Sequence, residues 1–186
     1  GSVRNREDRI LLDVYKKIVR IFPETLLIIA PRHIQRAGVI GKHVAEHGFS
    51  CQYRSDLDPG SSPRNASVVV VDTMGELMAT YSIASIAFCG GSLVPLGGQN
   101  ILEAAVWGIP VLFGPSMEDF LDARALLCAS GGGIQVTDGR DLAEKILYYL
   151  SRPDRAAQAG RLARRAVAAN SRAAEKHAGV ICRILA

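Results

Sequence analysis

Residues 90–100, GGSLVPLGGQN, place two glycine pairs between an apolar run, residues 86–89, and a helix-like segment, residues 101–107. Bare backbone at the start of a helix is a ready anion site, because unpaired N–H groups and the helix dipole both favour negative charge. The chemistry this predicts is capture of a phosphate-bearing ligand. Asn100 and Glu103 have box-like capping spacing. Glu103 is equally well placed, one turn into that helix, to accept ribose hydroxyls. Two further polar clusters follow apolar runs. Pro31-Arg32-His33 offers a guanidinium that either pairs bidentately with phosphate or carboxylate or closes a turn in solvent. Asp72-Thr73-Met74-Gly75-Glu76 either forms a Thr73/Glu76 capping box or brings backbone and Glu76 up to a nucleotide. His43-Val-Ala-Glu46-His47 matches a zinc-peptidase pattern, but the sequence offers no third ligand and histidine is welcome at a helix C-terminus without any metal.

The elements that must position these groups alternate regularly. Residues 10–22 carry Ile10, Val14, Ile18 and Ile21 at helical spacing and stop at Pro23. Residues 26–30 read as a short strand buried on both faces. A helix over 34–47, stopped by Gly48, leads to a weak strand at 50–53 and a polar loop running to Asn65. The clearest strand, 67–71, contains four consecutive valines. Beyond it come a helix at 76–83, a strand at 86–89, a helix at 100–107, a strand at 111–113, a helix at 120–130 and a strand at 134–136. Gly131-Gly132-Gly133 terminates the helix before that last strand. Asp138 caps a helix to Leu150, and Pro153 opens an Ala/Arg-rich helical tail. Such alternation predicts an α/β domain with a Rossmann-like parallel sheet flanked by helices. Ligands of such sheets bind outside the carboxyl ends of the strands, and each polar cluster named above follows a strand.

The 186 residues, 48% hydrophobic and 22% charged, suit one soluble α/β domain. Gly1-Ser2 reads as a tag remnant, leaving 3–186 as a single domain with a helical tail. No run approaches the ~20 apolar residues of a membrane span. The net charge of +4 is uneven: from residue 151 onward eight Lys/Arg face only Asp154 and Glu175, an excess of +6, which leaves −2 for the rest. No aromatic follows Tyr149, which argues against nucleic acid. The basic tail is then a solvated helix face or a surface for an acidic partner or anionic membrane. Cys51, Cys89, Cys128 and Cys182 form no CxxC pair and read as core hydrophobes of a reducing compartment.

Together these stretches resemble the C-terminal half of the bacterial 3-deoxy-D-manno-octulosonic acid (Kdo) transferases, GT-B glycosyltransferases that move Kdo from CMP-Kdo onto lipid A precursor. The matching segments are LLIIAPRH, VVVVDTMGELMATY, IAFCGGSLVPLGGQNILEAA and GIPVLFGPSMEDF, with SGGGIQVTD beyond, in the family's order from about residue 26 to 138. The resemblance implies one half of a GT-B enzyme, acting without cofactor or metal at the cytoplasmic face of the bacterial inner membrane in lipopolysaccharide biosynthesis. By the matching motifs, Arg32, with His33 beside it, faces the cytosine or phosphate. Met74, Gly75 and Glu76 line the nucleotide pocket. Ser92, Gly97 and Gly98 cradle the phosphate or the Kdo carboxylate, and Asn100 and Glu103 orient the ribose. The family's general base lies in an N-terminal domain outside this chain, so the resemblance implies CMP binding with little transfer by this chain alone. Partners implied are CMP-Kdo, the lipid A precursor, that N-terminal domain and the inner membrane surface. The family's GGHNPLE stands here as Gly97-Gly98-Gln99-Asn100-Ile101-Leu102-Glu103, and its GPH as Gly114-Pro115-Ser116. Loss of two imidazoles removes charge beside the donor. A UDP-sugar transferase and a non-catalytic nucleotide-binding module are the alternatives.

Overall fold

The structure, a computed structural model, describes residues 1–57 and 63–185, with side chains to residue 170. Helix α1 (Glu7–Ile18) forms because Leu11, Val14, Tyr15 and Ile18 recur on one face, with acidic residues in its first turn and Lys16 and Lys17 in its last. It leads into β1 (Leu27–Ile29), α2 (Ala37–Glu46), β2 (Cys51–Tyr53) and β3 (Val68–Val70). The second half runs α3 (Leu77–Ser82), β4 (Ala87–Cys89), α4 (Leu102–Ala105), β5 (Val111–Phe113), α5 (Leu121–Ser130), β6 (Gly133–Gln135), α6 (Gly139–Leu150) and α7 (Pro153–Leu185). Local signals act as read: the Asp138 carboxylate accepts the Arg140 and Asp141 amides at 2.7 and 2.9 Å and starts α6. Gly131, at φ +76°, ends α5 in the left-handed region that glycine enters without strain.

Every strand pair is parallel, as the alternation predicts, but the pairing divides into two three-stranded sheets, β1-β3-β2 and β4-β5-β6. Side chains alternate between the faces. Ile29, Val68, Val70, Phe88 and Leu112 pack with Leu12 and Tyr15 of α1, Ile40 of α2 and Leu142 of α6. Ala87, Cys89, Val111 and Phe113 turn the other way, onto Tyr81 of α3, Ala104 of α4, Leu127 of α5 and Ala163 of α7. β3 and β5 are fully buried, as befits central parallel strands. β1 departs from the expectation of burial on both faces: Leu27 and Ile28 are only half-buried.

The basic tail is one helix of 33 residues, about 50 Å long at 1.5 Å per residue. It meets the body backbone to backbone, since a Cβ on Gly160 would lie 1.8 Å from the Gly108 carbonyl oxygen. Arg155, Arg161, Arg164 and Arg165 point to solvent. No helix among the described residues is long and apolar enough to cross a membrane.

Candidate functional site

Parallel strands deliver all their C-terminal loops to one edge. The first residues tie the two sheets together there: Val3 forms a parallel bridge with Pro31 beyond β1, while the Gly1 carbonyl accepts the Gly90 amide beyond β4 at 2.8 Å. Gly1 and Ser2, set aside in the sequence reading, are thus engaged by the fold. The shared edge carries residues 31–33, 72–76, 90–100 and 114–120.

The turn after β4 holds an anion, and the anion is part of the chain. Glu7, fully buried at the head of α1, accepts the amides of Gly91 at 2.7 Å and of Ser92 and Leu93 at 3.0 Å each, and the Arg4 amide at 2.9 Å. Four N–H donors on one carboxylate make a site of charge-assisted hydrogen bonds. Ser92 is also buried; its hydroxyl donates to the Cys89 carbonyl and accepts the Gly114 amide at 2.8 Å, joining the β4 turn to the β5 turn. The expectation that these amides stand open is corrected by this geometry, because a ligand cannot take N–H groups that Glu7 occupies. The helix behind the loop is shorter than expected as well. α4 is a single turn, Leu102–Ala105, so little dipole accumulates at its start.

The second glycine pair is stitched to the β5 loop. The Gly97 amide donates to the Ser116 hydroxyl at 3.0 Å, its carbonyl accepts the Asp119 amide at 3.0 Å, and the Gly98 amide reaches the Gly91 carbonyl at 2.9 Å. Ser116 in turn donates to Glu118 at 2.7 Å, which holds that carboxyl below the usual range. The Asn100 side chain accepts the Leu102 amide at 3.1 Å and donates to Glu103 at 3.2 Å, so it caps α4 while it orients the carboxylate. No capping box forms at Thr73. Its hydroxyl donates to the Glu76 carboxylate, which also receives the Arg54 guanidinium at 3.0 Å. Gly75 is exposed at the same edge, as is Met74, whose side chain is 81% exposed.

Arg32 and His33 are exposed at this edge, and Arg4 joins them with its guanidinium 3.4 Å from the His33 imidazole. Arg4 and Glu7 are residues at this edge that the sequence pattern did not single out. A signal for Glu7 was present: with Leu11 and Val14 it recurs at positions i, i+4 and i+7 on the buried face of α1, where a carboxylate requires a partner.

The zinc-peptidase pattern resolves into a seam between helices. His43 pairs with buried Asp8 at 2.5 Å, Glu46 with Arg9 at 3.0 Å and His47 with Asp13 at 3.6 Å. Asp8 also receives Arg36 at 3.2 Å. Among the described residues no group of three His, Cys, Asp or Glu could hold a metal. Cys89 is a core residue whose thiol burial pushes up, and Cys51 is half-buried with its thiol raised for the same reason. Cys128 departs from the core expectation and is exposed on α5; the Cys182 side chain lies outside the described residues.

No family model matches the chain. It is 33% identical over 151 residues to the 3-deoxy-D-manno-octulosonic acid transferase of Aquifex aeolicus, covering 81% of this chain and 41% of that protein. It is 35% identical over 146 residues to a bifunctional glycosyltransferase/methyltransferase of Fusobacterium nucleatum, covering 78% of this chain and 22% of that one. The chain thus spans less than half the length of these curated relatives. Among solved structures, the C-terminal CMP-Kdo binding domain of WaaA from Acinetobacter baumannii superposes with a TM-score of 0.82 at 24% identity, over 89% of this chain and 86% of that domain. The chain therefore shares the fold of that domain, parallel strands flanked by helices.

Proposed function

From its sequence relationship to the 3-deoxy-D-manno-octulosonic acid transferases, we propose that this chain is the donor-binding part of a transferase that moves Kdo from CMP-Kdo to a lipid A precursor. The observation that carries the reading is the convergence of residues 31–33, 72–76, 90–100 and 114–120 at the carboxyl edge of the parallel strands.

In this reading Arg32, His33 and Arg4 meet the anionic part of the donor, the phosphate or the Kdo carboxylate, as charge-assisted donors. Met74 and Gly75 contact the base or sugar from the exposed edge. Glu76, steadied by Thr73 and Arg54, and Glu103, steadied by Asn100, accept ribose hydroxyls. Gly97 and Gly98 shape the loop that admits the donor, with its other hydrogen bonds spent on Ser116 and Asp119. Ser92 supports this loop from beneath through Gly114. The leaving CMP phosphate is stabilised electrostatically here, while a base on an N-terminal domain deprotonates the acceptor. That domain or an anionic inner-membrane leaflet then faces the arginines of α7.

Calorimetric titration of the chain with CMP, UMP and inorganic phosphate tests the reading. CMP bound at least about tenfold more tightly than UMP, a difference of ~1.4 kcal/mol, supports it. Preference for UMP moves the assignment to a UDP-sugar transferase, and binding of neither nucleotide removes the donor site.

A further inference from the structure

Positive charge gathers at one corner of the body. Residues 1–150 carry a net −2 and residues 151–186 a net +6. The ends of α4 and α5 meet α7 at this corner, where the Gly108 carbonyl packs on Gly160 and the Ala163 backbone packs on Gly132. Three segments converge there, residues 104–110, 125–133 and 155–170, and none of them contains Asp or Glu. They do contain Arg155, Arg161, Arg164 and Arg165, all exposed.

The helix decides where these groups point. Ala159, Gly160 and Ala163 are buried against the body, so Arg161, Arg164 and Arg165 share an arc of about 100° on the outward face. Arg164 stands on the flank nearest the loop after α4: its Cδ lies 3.6 Å and its Cβ 3.9 Å from where a Cβ on Gly108 would be. That loop presents Val106 and Trp107, 36% and 44% exposed, just ahead of Gly108. None of the three guanidinium groups has an ion-pair partner among the described residues.

A face shaped for solubility alone would interleave its arginines with carboxylates, as α6 does with Arg140 and Glu144 at 3.1 Å. A nucleic-acid surface would carry stacking aromatics along the helix, and α7 has none. Unpaired guanidinium groups beside a half-exposed indole match a bilayer interface instead. Arginines there reach phosphate while their stems lie along apolar surface, and tryptophan sits at headgroup level.

We propose that this corner, Val106 and Trp107 with Arg161, Arg164 and Arg165, is a docking surface for an anionic phospholipid bilayer. The indole enters the headgroup layer while the guanidinium groups bind lipid phosphates. Of the two occupants open to the arginines of α7, the bilayer is the one that uses Trp107. The surface lies beyond the opposite end of α4 from Asn100 and Glu103, so it leaves the carboxyl edge free and is independent of the donor's identity.

Trp107 is the single tryptophan of the chain, so its own emission reports the contact. With vesicles of about 30% phosphatidylglycerol in phosphatidylcholine, the emission shifts to the blue and cosedimentation is at least about tenfold stronger than with phosphatidylcholine alone. An arginine near an anionic leaflet contributes about fivefold. Arg161→Gln/Arg164→Gln/Arg165→Gln therefore weakens binding about a hundredfold. Arg161→Gln/Arg165→Gln spares the stem packed on Gly108 and weakens it about 25-fold. Trp107→Ala weakens binding with every arginine in place. Removing three charges from α1, across the sheet, by Lys16→Gln/Lys17→Gln/Arg20→Gln leaves binding within about twofold. Equal binding to charged and neutral vesicles overturns the proposal, as does binding with unshifted emission or an equal loss in the α1 variant. Each of these outcomes returns the arginines to an acidic protein surface.

Discussion

Replacing Glu7 by glutamine isolates the internal carboxylate from every other feature of the site. The two side chains have the same shape, but glutamine keeps only one acceptor oxygen. Glu7 Oε2 receives the Gly91 and Arg4 amides and Oε1 receives those of Ser92 and Leu93. Whichever way glutamine lies, two N–H groups lose their acceptor and face an NH2 group instead. A buried unsatisfied donor costs about 1–3 kcal/mol, so the pair costs ~2–6. Neutralising a buried charge recovers some desolvation, which brings the expected loss to roughly 2–4 kcal/mol. Against a total stability of ~5–15 kcal/mol, that is large for one atom exchanged. With a urea m-value of ~2 kcal/mol/M, the midpoint of equilibrium denaturation falls by about 1–2 M. Exchange at the amides of Gly91, Ser92 and Leu93 rises well ahead of that at Val69. A midpoint within about 0.3 M of the parent chain, with those three amides still protected, would show that Glu7 is not what holds the turn.

The remaining predictions concern packing, pH and thiol chemistry. Gly160→Ala ordinarily strengthens a helix by up to ~1 kcal/mol. Here the new methyl meets the Gly108 carbonyl oxygen at 1.8 Å, so overpacking reverses the sign and Tm drops by about 5–10 °C; an unchanged or higher Tm in calorimetry counts against the contact. Burial pushes the Asp72 carboxyl up, but hydrogen bonds from the Ser55 hydroxyl and amide outweigh it and hold the group below its ordinary value. A depressed carboxyl stabilises the fold above its unfolded pKa of ~3.9 and loses that contribution as pH falls through the folded value. Ser55→Ala should therefore cost about 0.5 kcal/mol at pH 6 and progressively less below pH ~4; a gap that widens on acidification contradicts the assignment. In timed labelling at pH 8 with peptide mapping, exposed Cys128 is modified at least about tenfold faster than buried Cys89; equal rates would place Cys89 outside the core.

What the sequence made legible was what neighbours within a few residues decide. The valine run, the Asp138 cap and the Gly131 stop depend on local propensity, and the structure has each where the residues put it. Pairing over distance was hidden. The glycines of residues 90–91 advertise an uncovered backbone, but the carboxylate that covers it lies 84 positions earlier. His43, Glu46 and His47 form a pattern along one helix, and only the arrival of Asp8, Arg9 and Asp13 from another helix gives it its meaning. The length of α4 was misjudged for a related reason. Apolar spacing continues to Trp107, yet Gly108 must bend away to meet α7, and the helix ends after one turn. Of the edge residues, Arg32, Glu76, Asn100 and Glu103 were legible because each follows a strand; Arg4 was not, because it precedes the first helix and reaches this edge only through the bridge from Val3 to Pro31.

The contact between Gly160 and Gly108 makes α7 a splint. A single helical turn such as α4 has almost no stiffness of its own, and its C-terminal end runs through Trp107 into a loop that α7 touches backbone to backbone. Asn100 and Glu103 stand at the other end of that same turn. The aim of the Glu103 carboxylate is therefore set from behind, by a helix packed beside α4 on the same face of the sheet. Any surface that engages α7 holds a mechanical handle on the edge where the loops converge.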